Sequence, residues 1–162
     1  MDVNLATVNL REPEYNRIKA ILDTVQKELR ADLVLLVSQG GQPIVVSELK
    51  EAFDYTSLAS LAAANLAATN GLATLVGEGE FSVLVHQGRN RSLYLSDLLK
   101  IFSLVVVFNA STTLGLVRYK VRKATILLEE VIEDILRSAP GKVRGADNPD
   151  FSDEELEKLL EL

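Results

Sequence analysis

Cysteine is absent from this 162-residue chain, and histidine occurs once. Without thiols there is no disulfide framework and no thiolate metal site, which fits a reducing cytoplasm. The single His86 has no second histidine or cysteine with which to share a metal, so it reads as a structural hydrogen-bonding residue. Nucleotide signatures are missing as well. Neither Gly-x-x-x-x-Gly-Lys-Ser/Thr nor the glycine fingerprint for dinucleotides occurs, and there is no His-Glu-x-x-His. The acids fall mostly on the outer faces of predicted helices, which gives paired-carboxylate catalysis no support. No catalytic residue, metal or cofactor is therefore expected. The opening "MDVNLATVNLREPEY" lacks a basic start followed by an apolar run, and does not read as a secretion signal.

The most informative absence is charge. From Thr56 to Gly77 the chain reads "TSLASLAAANLAATNGLATLVG", without one charged side chain. Elsewhere charge is plentiful, and the net value of -6 has a clear location. The last stretch, "DNPDFSDEELEKLLEL", holds seven acids and one lysine, which leaves 16 acids and 16 bases in the rest. A balanced body argues against nucleic-acid binding. An acidic end is either solubilising or an interaction segment. The densest basic cluster, "RYKVRK" from Arg118 to Lys123, reads as a solvated helix face, opposite in sign to the acidic end.

What is present is ordinary globular protein: 48% hydrophobic and 25% charged residues, enough for one domain with its own core. Tyr15, Ile18, Ile21, Leu22, Val25 and Leu29 recur at helical spacing over about Glu12 to Arg30, with Pro13 at an early position. Two apolar runs, Leu33 to Val37 and Ile44 to Val46, flank a Gln-Gly-Gly-Gln turn and predict a hairpin. The uncharged stretch predicts a helix, with Asp54, Thr56 or Ser57 as N-cap and Gly77 as its stop. Runs from Phe81, Ser92 and Ile101 predict an antiparallel meander, its last strand apolar enough to be covered on both faces. A long helix follows from about Ser111 to Leu136. The expected organisation is a domain over residues 1–138, a flexible Gly- and Pro-containing linker over 139–150, and an acidic amphipathic helix over 151–162.

A membrane span is a poor reading of the uncharged helix. Asn65, Asn70, Ser57, Ser60 and three threonines would each need a partner in hydrocarbon. At about 100° per residue, Leu58, Leu61, Leu72, Leu75 and Val76 share one arc and are expected to cover the sheet. Ala63, Ala67, Asn70, Gly71 and Thr74 share the opposite arc. Small side chains there let another backbone approach closely, and an uncharged exposed surface of this length implies a partner.

These stretches resemble the roadblock family, and within it the branch that regulates a bacterial Ras-like small GTPase of the MglA type. The residues that carry the resemblance are "LVLLVSQGGQPIVVS", the uncharged helix through "GEGEF", "HQGRNRSLYLSD" and "LVVVFNASTTLGLVRYKVRKA", which together span roughly Asp32 to Ala124. Asn109 departs from the pattern, since an acid often follows that strand. The resemblance implies an α+β fold of order α-β-β-α-β-β-β-α. A five-stranded antiparallel sheet is sandwiched between helices, with a tethered C-terminal helix beyond. It also implies a homodimer through the middle helix and an edge strand, and a GTPase bound on that helix at positions matching Ala67 and Gly71. GTP hydrolysis would be stimulated by repositioning the GTPase's own catalytic groups. Phe151, Leu156, Leu159 and Leu160 match a terminal segment that contacts the GTPase and tunes nucleotide exchange. The implied protein is a cytoplasmic regulator of cell polarity, concentrated at a cell pole, with no nucleic-acid partner and no membrane insertion. A roadblock scaffold that binds without activating, and a small-ligand sensor using His86, Tyr94 and Asn65, are the other readings.

Overall fold

The computed structural model describes the backbone of residues 3–5, 8–50 and 53–138. The uncharged stretch forms α2 (Tyr55–Leu75), with α1 (Glu12–Leu29) before it and α3 (Leu114–Ser138) closing the described chain. The strands are β1 (Val3–Leu5), β2 (Val8–Leu10), β3 (Leu33–Ser38), β4 (Pro43–Glu48), β5 (Val83–Gln87), β6 (Arg91–Leu98) and β7 (Phe102–Asn109). From α1 onward the order is α-β-β-α-β-β-β-α, as expected. The hairpin of β1 and β2 adds a small two-stranded sheet that the sequence reading did not foresee.

The main sheet is five-stranded, in the order β4-β3-β7-β6-β5, with every pairing antiparallel. Its apolar runs alternate between two cores because successive side chains in a strand point to opposite faces. Val34, Leu36, Leu104, Val106 and Phe108 face α1 and α3, where they meet Ile18, Leu22, Val121 and Leu128. Leu33, Leu35, Val37, Val105 and Val107 face α2. β7 lies in the middle, and seven of its eight residues are buried. That is the burial its unbroken apolar sequence predicts.

α1 and α3 run antiparallel, tied at one end by Arg17 to Asp134 (3.4 Å) and at the other by Lys120 to Glu28 (2.9 Å). α1 opens on a reciprocal cap: the Arg11 backbone N–H donates to Glu14 Oε2 at 2.8 Å, and the Arg11 guanidinium reaches Glu14 Oε1 at 2.7 Å. Asn109 has a local reason. Its Nδ2 donates to Asp32 Oδ1 at 2.9 Å and its Oδ1 accepts from the Ser111 N–H at 2.8 Å, where an acid would repel Asp32. By length and composition alone α2 could cross a membrane, at mean hydropathy 1.2. In this fold it lies along the sheet, and the linker and C-terminal helix expected over 139–162 fall outside the described residues.

Candidate functional site

Both ends of α2 are fixed by local sequence. Asp54 is the N-cap: its Oδ1 accepts from the Ser57 N–H at 3.1 Å and its Oδ2 from the Ser57 hydroxyl at 2.6 Å. These two bonds hold the Asp54 carboxyl below its usual range. At the other end Gly77 takes a left-handed conformation (φ 79°), so the Glu78 N–H bonds the Ala73 carbonyl at 2.9 Å and the Gly77 N–H bonds that of Thr74 at 3.2 Å. This closing motif satisfies carbonyls that the helix would leave unpaired. The helix is thus a platform with defined ends.

Its buried face is not the one the leucines predicted. Ala59, Ala62, Leu66, Thr69 and Ala73 are buried against the sheet. Leu61 (69% exposed), Leu72 (58%), Leu75 (82%) and Val76 (68%) point outward, and only Leu58 of that arc is half-buried. The reason is that α2 is uncharged all round and its apolar and small polar residues are spread over every side, so the 3.6-residue period does not select a side. Alanine side chains let the helix lie close on the sheet. At its first half the approach is close enough that a Cβ on Gly41 (φ 81°) would sit 2.9 Å from Ser60 Cα. The Ser60 hydroxyl donates to the Gly41 carbonyl there, at 3.2 Å.

Two outward flanks result, and they look in different directions. Beside the leucines, Asn65 reaches β5, where its Nδ2 and His86 Nε2 lie 3.1 Å apart. β5 is the last strand of the sheet and pairs only with β6 among the described residues. Leu84 on it packs into the core beneath α2, whereas Val83 is exposed on the α3 side of the sheet. His86 has the hydrogen-bonding role expected of a lone histidine.

The other flank carries the predicted small residues. Ala67, Asn70, Gly71 and Thr74 are exposed and Ala63 is half-buried. Ala63, Ala67, Asn70 and Thr74 form one wall of a groove of about 300 Å³, and Gly71 lies beside them on the helix. Ser38 at the end of β3, Gln39 just after it, and Asp97, Lys100, Ile101 and Phe102 supply other parts of its lining. The β6–β7 turn holds Leu99 (φ 55°) and Lys100 (φ 58°) in the left-handed region, a conformation uncommon for residues with side chains. Asp97 Oδ2 braces it by accepting from the Lys100 N–H at 3.2 Å. Burial pushes the Asp97 carboxyl above its usual range, against the opposing effect of that bond. Lys100 in turn pairs with Glu80 at 2.8 Å, and the pair raises the Lys100 ammonium. Asp97, Lys100 and Glu80 were not foreseen as lining this site. The turn has neither glycine nor asparagine to signal its geometry.

Among the described residues, Gly71 has no conformational or packing reason. Its φ is not positive, and a Cβ added there meets no heavy atom within 4 Å. The four tail residues Phe151, Leu156, Leu159 and Leu160 lie outside the described residues. Among the described residues, no three His, Asp or Glu side chains converge to hold a metal ion.

The Roadblock/LC7 domain family matches residues 17–108. Among solved structures, MglB of Myxococcus xanthus is 41% identical, with a TM-score of 0.71 over 75% of this chain and 98% of its own. The gliding protein MglB of Thermus thermophilus is 30% identical, with a TM-score of 0.75 over 79% and 97%. An MglB with tetrameric arrangement is also 30% identical, at 0.76 over 80% and 97%. No curated protein sequence matches. The family match and the likeness over most of each chain agree: the chain belongs to the Roadblock/LC7 family and is an MglB-type roadblock protein.

Proposed function

We infer that this protein is a homodimeric activator and scaffold for a Ras-like small GTPase of the MglA type, cytoplasmic and concentrated at a cell pole. The observation that carries the reading is the outward surface of α2. It is uncharged along its whole length, and it keeps a glycine at an exposed interior position where alanine would stabilise the helix by about 1 kcal/mol. A partner whose backbone must come close explains that cost.

The two flanks divide the work. Leu61, Leu72 and Leu75 with the open edge of β5 suit a second copy, whose own β5 would continue the sheet. Ala63, Ala67, Asn70, Gly71 and Thr74 then face the GTPase. Activation works by population shift: the dimer binds best the GTPase conformation in which the catalytic groups are aligned, and lends none of its own. Residues Phe151, Leu156, Leu159 and Leu160 contact the GTPase elsewhere, so deletion of 147–162 alters nucleotide exchange more than binding. The test is single-turnover GTP hydrolysis by the cognate GTPase with this protein titrated in. A rise of about 100-fold, equivalent to about 2.7 kcal/mol of barrier, marks an activator. A complex that elutes intact while hydrolysis stays basal marks a scaffold and overturns the activating role.

A further inference from the structure

α3 is electrically divided. From Leu114 to Thr125 it carries Arg118, Lys120, Arg122 and Lys123 with no acid, and from Ile126 onward Glu129, Glu130, Glu133 and Asp134 face a single Arg137. Of the basic four, only Lys120 forms an ion pair among the described residues, with Glu28. The Lys123 ammonium lies over the Tyr119 ring instead, 5.0 Å from its centre. Leu116, Lys120, Lys123 and Leu127 follow one another at intervals of three and four, and so form one stripe along the helix. Leu116 and Leu127 are both large hydrophobic residues left exposed. Beside the stripe, between α3 and α1, runs a groove of about 340 Å³ lined by Ile21, Val25, Ala124 and Leu127, with both lysines and the Glu28 partner of Lys120 along it.

Such a groove suits a short amphipathic segment that carries leucines and carboxylates. This chain has one. Residues 151–162, "FSDEELEKLLEL", hold Leu156, Leu159 and Leu160 at helical spacing among Asp153, Glu154, Glu155, Glu157 and Glu161. The stretch 139–150 separates that segment from Ser138, the end of α3. Its 12 residues reach at most roughly 40 Å when extended. Lys123 lies only about 22 Å back along α3, from the helical rise per residue. The tether is long enough with chain to spare.

We propose that residues 151–162 seat in the α1–α3 groove of their own chain, with Leu156 and Leu160 on its apolar floor and the Asp153–Glu157 carboxylates on Lys120 and Lys123. This seat is on the opposite face of the sheet from α2, so a seated tail is held away from the α2 surface and is free to contact the GTPase only once released. Its release is electrostatic and follows ionic strength.

The test uses the full chain alone, with no GTPase, and is therefore independent of the GTPase-activating role. A zero-length carbodiimide joins lysines to carboxylates in contact, and the body offers Lys19, Lys27, Lys50, Lys100, Lys120 and Lys123. The expected result is tail carboxylates linked severalfold more to Lys120 and Lys123 than to the other four. The enrichment should be lost in about 0.5 M salt, where screening acts within a few ångströms. It should also be lost in the double variant Leu156→Ser, Leu160→Ser, which leaves every reactive group in place. Even linkage over the six lysines overturns the proposal, as does preference for Lys100 or enrichment that survives the serine variant. Mixing isotopically labelled and unlabelled chains decides the rest, since links between copies instead of within one also overturn it.

Discussion

Gly71→Arg separates a folding role from a binding role because the two are expected to respond with opposite signs. The position is helical, exposed and open: an added Cβ meets no heavy atom within 4 Å. Arginine is favoured over glycine in a helix interior by about 0.8 kcal/mol. The isolated protein is therefore expected to hold its stability or gain about 2–3 °C in melting temperature, with the dimer intact. A partner seated against α2 would bury that guanidinium unpaired, at a cost of several kcal/mol. Binding of the GTPase should weaken by at least about 100-fold, equivalent to about 2.7 kcal/mol. Urea unfolding and sedimentation report on the first half, and titration calorimetry with the GTPase loaded with a non-hydrolysable nucleotide reports on the second. Normal binding by Gly71→Arg would refute the assignment of this flank. A large loss of stability would instead show that Gly71 is required by the fold itself.

Other substitutions test neighbouring claims. Leu72→Glu, on the leucine flank of α2, should leave the monomer folded and shift the dimer to monomer in sedimentation at micromolar concentration; a persistent dimer places the self-contact elsewhere. Gly41→Ala forces a Cβ to 2.9 Å from Ser60 Cα at a positive φ, so the urea midpoint should drop by the equivalent of about 1–3 kcal/mol. Glu14 is held below the usual carboxylate range, chiefly by its hydrogen bond from the Arg11 side chain. A carboxyl lowered on folding contributes stability above its unfolded value, and that contribution is lost as pH falls through the folded one. Glu14→Gln should thus cost about 1 kcal/mol at neutral pH, with the gap to the unmodified protein closing as pH falls below the usual carboxylate range. A gap that stays constant with pH would mean that the loss comes from packing, not from the ion pair.

Much of the architecture was legible because alternation and capping are local. The period of two in "LVLLVS", the Gly-Gly turn after it, Asp54 before α2 and Gly77 beyond it each act within a few residues. Their outcomes matched the expected elements, and the unbroken apolar β7 took the central place. The N-terminal hairpin escaped notice because two three-residue strands have too few positions to show a period. Of the site, the small-residue flank was legible as a row of Ala63, Ala67, Asn70, Gly71 and Thr74. The face that α2 buries was not.

That division has a physical basis. Composition and short-range pattern enforce where helices start and stop, which strand is covered on both faces, and that one helix carries no charge. How α2 rolls on the sheet is instead a matter of packing between distant parts of the chain. A helix with no charged side and its apolar residues spread all round has no one face singled out for burial, so the choice falls to the depth at which it can lie. Ala59, Ala62 and Ala73 allow the close seat, and Leu61, Leu72 and Leu75 are turned outward. The β6–β7 turn, with Leu99 and Lys100 both left-handed, likewise belongs to the fold: the pairing of β6 with β7 holds a conformation that neither residue prefers alone.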